Sequence, residues 1–220
     1  LYTYTCGAGC GYVLGTNQYD DRAKAQFFTL SEFSPNTHVT GGLFYFATAY
    51  KSGSSNGKVV FTVWDDNGAM GSPNTVLGTD TVDLADIVSD VQGGFLTQSL
   101  FIPPVAVSGN FYYGFQMVNF DLWAGGTRDS LTSVSPLSGV TPPSGNVAWE
   151  YSDLGAGFQW NDFPTAWGSN IMPFITPYMT DMPPTASFTA DTVEGCGTLI
   201  VNFDASASVN GTSYYWDVDG

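Results

Sequence analysis

Hydrophobic and polar residues alternate along much of this chain, most clearly in Val59-Val60-Phe61-Thr62-Val63-Trp64 and in Phe111-Tyr112-Tyr113-Gly114-Phe115. Successive side chains of an extended backbone point to opposite faces, so such runs predict strands with one face in a core. Strands are predicted over 25–30, 37–50 (interrupted at Gly41-Gly42), 58–64, 75–84, 94–102, 110–118, 146–151 and 171–179. Turn chemistry separates them: Ser52 to Gly57, Asp65-Asp66-Asn67-Gly68, Gly71-Ser72-Pro73-Asn74 and Thr141 to Gly145. Helical spacing of apolar residues is confined to 84–90, one or two turns at most, and residues 1–20 read as an extended, glycine-rich lead-in.

Strands in this number without intervening helices predict an all-β fold. The expected arrangement is an antiparallel jelly-roll β-sandwich over residues 1–180. Composition agrees: aromatic residues are 15% of the chain, and 26 Gly with 12 Pro supply many turns. Asp181-Met182-Pro183-Pro184 reads as a stiff joint, because consecutive prolines favour extended backbone.

Charge narrows the partners. Five Lys and Arg stand against twenty Asp and Glu, a net −15. Nucleic acid and anionic membrane both require a cationic face, so neither is expected. The excess suits solubility outside the cell and suits calcium, a hard cation with oxygen ligands; a plainly solvated acidic surface fits it too. No apolar run approaches the roughly 18 residues of a membrane span, and no secretory leader is visible.

Of three cysteines, Cys6 and Cys10 lie in Cys6-Gly7-Ala8-Gly9-Cys10. A disulfide closing this short loop is the favoured reading, because small residues bend sharply enough to bring the sulfurs together. Half of a metal site is the alternative, although no second Cys/His pair completes it. Cys196 is left as a buried thiol or one whose partner lies elsewhere.

Residues 183–220 open on Pro183-Pro184, continue through Val201-Asn202-Phe203-Asp204-Ala205-Ser206, and reach Tyr214-Tyr215-Trp216-Asp217-Val218-Asp219-Gly220. This resembles the first half of a polycystic kidney disease-type (PKD) module, an immunoglobulin-like β-sandwich of secreted and surface proteins. The resemblance implies that the strands completing the sandwich lie beyond Gly220. In the first domain, Trp64-Asp65-Asp66-Asn67-Gly68 is followed by Gly71-Ser72-Pro73-Asn74-Thr75-Val76-Leu77 and a strand ending Val82-Asp83-Leu84. That order is similar to jelly-roll domains of bacterial secreted proteins, including adhesin-type domains attached to secreted proteases. Asn74 stands where the pattern has glycine. Such domains are non-catalytic accessories, so the resemblance implies a cell-surface setting and an adhesive or spacing role.

The residues themselves carry little catalytic chemistry. His38 is the sole histidine and sits at a strand start, and no Ser or Cys is marked as an activated nucleophile. Adjacent carboxylates such as Asp20-Asp21 point to opposite faces when extended, a poor arrangement for glycosidase chemistry. Calcium is the better candidate at Asp65, Asp66 and Asn67, where an Asn-Gly hairpin turn is the plain alternative. Asp204 and Asp217 stand where PKD-like modules place calcium-binding carboxylates. Trp123, Trp160 and Trp167 fall in predicted loops, which run over the surface, and are candidate platforms for stacking on sugar rings.

The sequence therefore reads as a non-enzymatic, extracellular adhesion or structural module within a longer polypeptide. Its expected partners are that polypeptide, surface glycans or neighbouring copies. A carbohydrate-binding module of a polysaccharide-degrading enzyme and an accessory domain of a secreted protease are the alternatives.

Overall fold

The computed structural model describes residues 1–53, 55–123, 126–127, 129–136, 148–169, 171–181, 185–191, 194 and 200–209, with backbone alone at 122, 123, 126 and 127. The strands are β1 (Ala23–Phe28), β2 (His38–Phe44), β3 (Phe46–Tyr50), β4 (Lys58–Asp65), β5 (Val76–Asp83), β6 (Thr97–Ala106), β7 (Phe111–Val118), β8 (Leu122–Trp123), β9 (Gly126–Thr127), β10 (Ser130–Ser133), β11 (Ala148–Ser152), β12 (Gln159–Asp162), β13 (Ile175–Thr180), β14 (Thr189–Ala190) and β15 (Phe203–Asp204). Two short α-helices interrupt them, α1 (Leu84–Gly93) and α2 (Phe163–Trp167). No helix among the described residues is long and apolar enough to cross a membrane.

The protein is an all-β antiparallel sandwich. Its larger sheet has six strands in the order β12-β11-β1-β7-β4-β5. Opposite it stand the three-stranded sheet β13-β2-β6 and the pair β10-β3. Val59, Phe61 and Val63 of β4 and Phe111, Tyr113 and Phe115 of β7 project from the large sheet and meet Val39, Phe44, Phe46, Phe101 and Leu131 from the opposing layer. Alternate residues do this because the strand period is two. Helix α1 caps one edge of the core with Leu84 and Ile87 and stops at Gly94 in the left-handed conformation, as glycine readily allows.

Each predicted strand has an observed counterpart, with bounds shifted by a few residues. The predicted break at Gly41-Gly42 is misplaced. Both glycines lie inside β2, beside a register shift between Val39 and Gly41. They are there for closeness: a Cβ on Gly42 would lie 2.6 Å from the Tyr113 ring. The strand divides at Tyr45 instead. Its N–H donates to Phe174 and its carbonyl accepts from Val134, so the chain passes from one sheet to the next there. The β4–β5 connection is not the two-residue Asn-Gly hairpin either, because it runs from 66 to 75.

The lead-in is folded rather than merely extended. Val13 and Leu14 pack with Ala148, Phe163 and Ile171 in a second apolar cluster beneath β1 and β11. Cys6 and Cys10 form a disulfide, with Cα atoms 5.5 Å apart. In the last segment β14 pairs with β15, and a bridge joins Thr185 to Val209.

Candidate functional site

Two features of the large sheet stand apart from the main core. On its outer face, strand register brings together Trp64 and Thr62 of β4, Tyr112, Gly114 and Gln116 of β7, Ala23, Ala25 and Phe27 of β1, Trp149 and Tyr151 of β11, and Trp160 of β12. The middle of this face is small, Ala23, Ala25 and Gly114, and Trp64, Tyr112 and Trp149 bury Ala25 in an aromatic cluster. Trp64 and Trp160 meet edge to face with ring centroids 5.4 Å apart, and Tyr151 lies 5.5 Å from Trp160. Edge-to-face and tilted pairs of this kind fix ring orientation.

Beside this cluster lies a groove of about 730 Å³, lined by Trp64, Trp160 and Tyr151, by Asp21, Arg22 and Ala23 at its base, and by Asn74, Gln116 and Asn119 among others. Trp160 and Tyr151 are half-buried, Trp64 is buried, and the Tyr151 ring also stacks on Phe158 with centroids 5.9 Å apart. The loop between β4 and β5 forms one wall. It is held by Tyr112, whose hydroxyl donates to the Gly71 carbonyl at 2.6 Å. Arg22 at the groove's rim lies over the Phe158 ring, 3.6 Å from its centroid, and pairs with Asp20 at 2.8 Å. The groove thus sets the partly exposed Trp160 and Tyr151 beside neutral amides and the largely buried Asp21, with its rim cation Arg22 already paired.

The second feature lies on the inner face. One cross-strand row reads Phe61, Phe115, Lys24, Glu150, Asn161. Lys24 and Glu150 are fully buried and Asp21 nearly so. Lys24 Nζ donates to Asp21 Oδ2 and, at 2.8 Å, to Glu150 Oε2. Glu150 also accepts from Trp167 Nε1 at 2.7 Å and from Ser152 Oγ at 2.9 Å. Asn17 Nδ2 donates to Asp21 Oδ2 at 2.6 Å, while Asp21 Oδ1 has no hydrogen-bond partner. Burial pushes the Asp21 carboxyl up to about 7, against the pull of Lys24 and with the push of Glu150. Burial acts on Glu150 in the same direction, but Lys24 and the donors around it outweigh it and hold its pKa low. Burial works against the Lys24 ammonium, and its two carboxylate partners reverse that and raise its pKa. The two acids are thereby driven apart, as in sites where one carboxyl is protonated and the other ionised.

The predicted site residues are scattered. Trp160 lies in the groove, on a strand rather than in a loop. Trp167 is in α2, its indole turned to Glu150 and edge to face with Tyr19 at 5.5 Å. The Trp123 side chain, Asp217 and Cys196 lie outside the described residues. Asp65 accepts from the Asp66 amide and from Asn67 Nδ2, and Asn67 also bonds Thr75 through both ends of its amide. These hydrogen bonds close the β4–β5 loop. Burial, then the neighbouring Asp65 carboxylate, raise the Asp66 pKa. Asp204 is exposed, and the Ser206 amide donating to it lowers its pKa. No group of three or more His, Cys, Asp and Glu suited to a metal ion occurs among the described residues.

Sequence reasoning missed Trp64 and Tyr151 as groove residues and the whole Lys24–Asp21–Glu150 cluster. A signal existed for the cluster: Lys24 sits in strand phase with Gln26 and Phe28, and cations are scarce in this chain. Only the pairing of β1 with β11 puts Glu150 opposite it. No protein-family model, curated protein or solved structure matches this chain.

Proposed function

We propose that this chain is a non-catalytic extracellular adhesion module that holds uncharged glycans in the groove of its large sheet. The observation that carries the reading is the convergence of Trp64, Trp160 and Tyr151 with Asn74 and Gln116 in one cavity. Indole and phenol faces stack on the apolar face of a pyranose ring, and amides both donate to and accept from its hydroxyls. The volume is in the range of small-molecule sites, enough for a short oligosaccharide. The chain's net −15 disfavours acidic glycans. On this reading the sandwich is a jelly-roll accessory domain and residues 183–220 begin a PKD-like module.

A glycan array of neutral oligosaccharides tests it. Retention of the wild type and loss with Trp160→Ala support the proposal, and no retention of the wild type overturns it. Retention of surface-type glycans fits adhesion. Retention of storage or wall polymers alone fits the module of a polysaccharide-degrading enzyme.

A further inference from the structure

The geometry points to an intramolecular amide bond between the side chains of Lys24 and Asp21, formed within the folded protein with Glu150 as its proton carrier. The reacting groups are already in contact. Lys24 Nζ touches Asp21 Oδ2, so the carboxyl carbon is one bond away, and neither side chain is exposed to solvent. Proximity of this kind removes much of the entropic barrier to a two-group reaction. The remaining groups of the cluster are those an acyl transfer needs.

The two carboxyls differ in a way that assigns their roles. Both Glu150 oxygens are engaged by donors, Oε1 by Ser152 and Oε2 by Trp167 and Lys24, which suits an ionised base. Asp21 has one engaged oxygen and one without a partner. Its pKa, raised by burial, favours the neutral acid, the form with an electrophilic carbon. Asn17 Nδ2 points at the engaged oxygen, where it can hold the negative charge that develops on addition.

The steps balance as follows. Glu150 takes one proton from the Lys24 ammonium. The freed amine adds to Cγ of the neutral Asp21 carboxyl, forming the C–N bond and placing charge on Oδ2 beside Asn17. Glu150 passes its proton to Oδ1, the C–O bond breaks, and water leaves. The nitrogen then gives up its second proton to Glu150, which ends protonated. One ammonium, one carboxylic acid and one carboxylate become an amide, a water and a carboxylic acid, with no oxidant or reductant. Burial drives the direction. The starting cluster keeps opposite charges away from water at a desolvation penalty, whereas the product is uncharged. The aromatic wall keeps bulk water from reversing the step: the Phe163 ring centroid is 5.5 Å from Lys24 Nζ, and Trp167 closes over Glu150. The bond would tie the segment leading into β1 to the strand itself, whatever the groove binds.

The test is the mass of the purified, folded chain, measured intact under denaturing conditions and then by peptide sequencing. The expected result is a deficit of one water, located on a peptide in which Lys24 resists trypsin and is joined to Asp21. Lys24→Arg and Asp21→Ala should each restore the full mass. Glu150→Gln, which keeps the shape and most of the hydrogen bonding, should restore it while retaining the native circular-dichroism spectrum. A wild-type chain with the full mass after prolonged incubation in the folded state overturns the proposal. So does a water deficit that maps to a cyclised aspartate elsewhere or to a link between Lys24 and Glu150.

Discussion

Lys24 and Glu150 stand directly opposite one another in the β1–β11 ladder, Nζ 2.8 Å from Oε2, with both side chains shut off from water. Removing the cation leaves two acids in a site built around its charge. Measured against wild-type chain of full mass, in which the amide has not yet formed, Lys24→Met should destabilise the fold by about 3 kcal/mol or more, the range for breaking a buried pair. Equilibrium unfolding in urea measures this. A loss under about 1 kcal/mol, typical of exposed pairs, would show that the cluster is solvated.

Amide formation should depend on pH in a definite sense. The reaction needs Asp21 protonated and Glu150 ionised. The folded-state pKa of Asp21 is about 7, and that of Glu150 lies below its ordinary value. The productive combination therefore spans acidic to neutral pH and declines as Asp21 ionises above about 7. Refolding the chain across a pH series and timing the loss of water should give a rate that falls as pH rises through neutrality. A rate that climbs steadily into alkaline solution would indicate that the free amine, not the neutral acid, is limiting.

Asp129 is a third buried carboxylate, and it organises loops. Its oxygens accept from the Ser52 amide at 2.7 Å, from the Asp121 amide at 2.7 Å and from Ser55 Oγ. Asp129→Ala would strand these donors. Hydrogen bonds to a charged group contribute about 1.5–3 kcal/mol each, so a stability loss of about 3 kcal/mol is expected in thermal or urea unfolding. Asp129→Asn, which keeps one acceptor oxygen, should lose less.

The middle of the large sheet is equally specific. A Cβ on Gly114 would lie 2.7 Å from Ala25 Cα and would strike the Lys24 carbonyl in the adjacent strand. Gly114→Ala should cost about 1–3 kcal/mol, the range for overpacking, read as a lowered melting temperature. An unchanged melting temperature would mean that β1 and β7 are less tightly paired than described.

The sandwich was legible in the sequence because alternation reports directly on strands with one buried face, and all eight predicted strands have counterparts. What was not legible depended on partners distant in sequence. Trp160 looked like a loop residue because β12 is only four residues long and runs straight into α2. Gly41-Gly42 looked like a break, since the sequence does not show that Tyr113 from the opposing sheet fills the space above them. Asp21, Lys24 and Glu150 are ordinary charged residues until a register spanning more than a hundred residues sets them side by side.

The glycan-binding claim is tested most directly by following the tryptophan indole N–H signals in a nitrogen–proton NMR spectrum while a neutral oligosaccharide retained on the array is added. The signals of Trp64 and Trp160, which line the groove, should move and saturate together. The Trp167 signal, bound to Glu150 on the inner face, should stay in place. A titration in which Trp64 and Trp160 remain fixed while the sugar binds, or in which none of the three responds to any neutral glycan, would contradict the assignment of this groove.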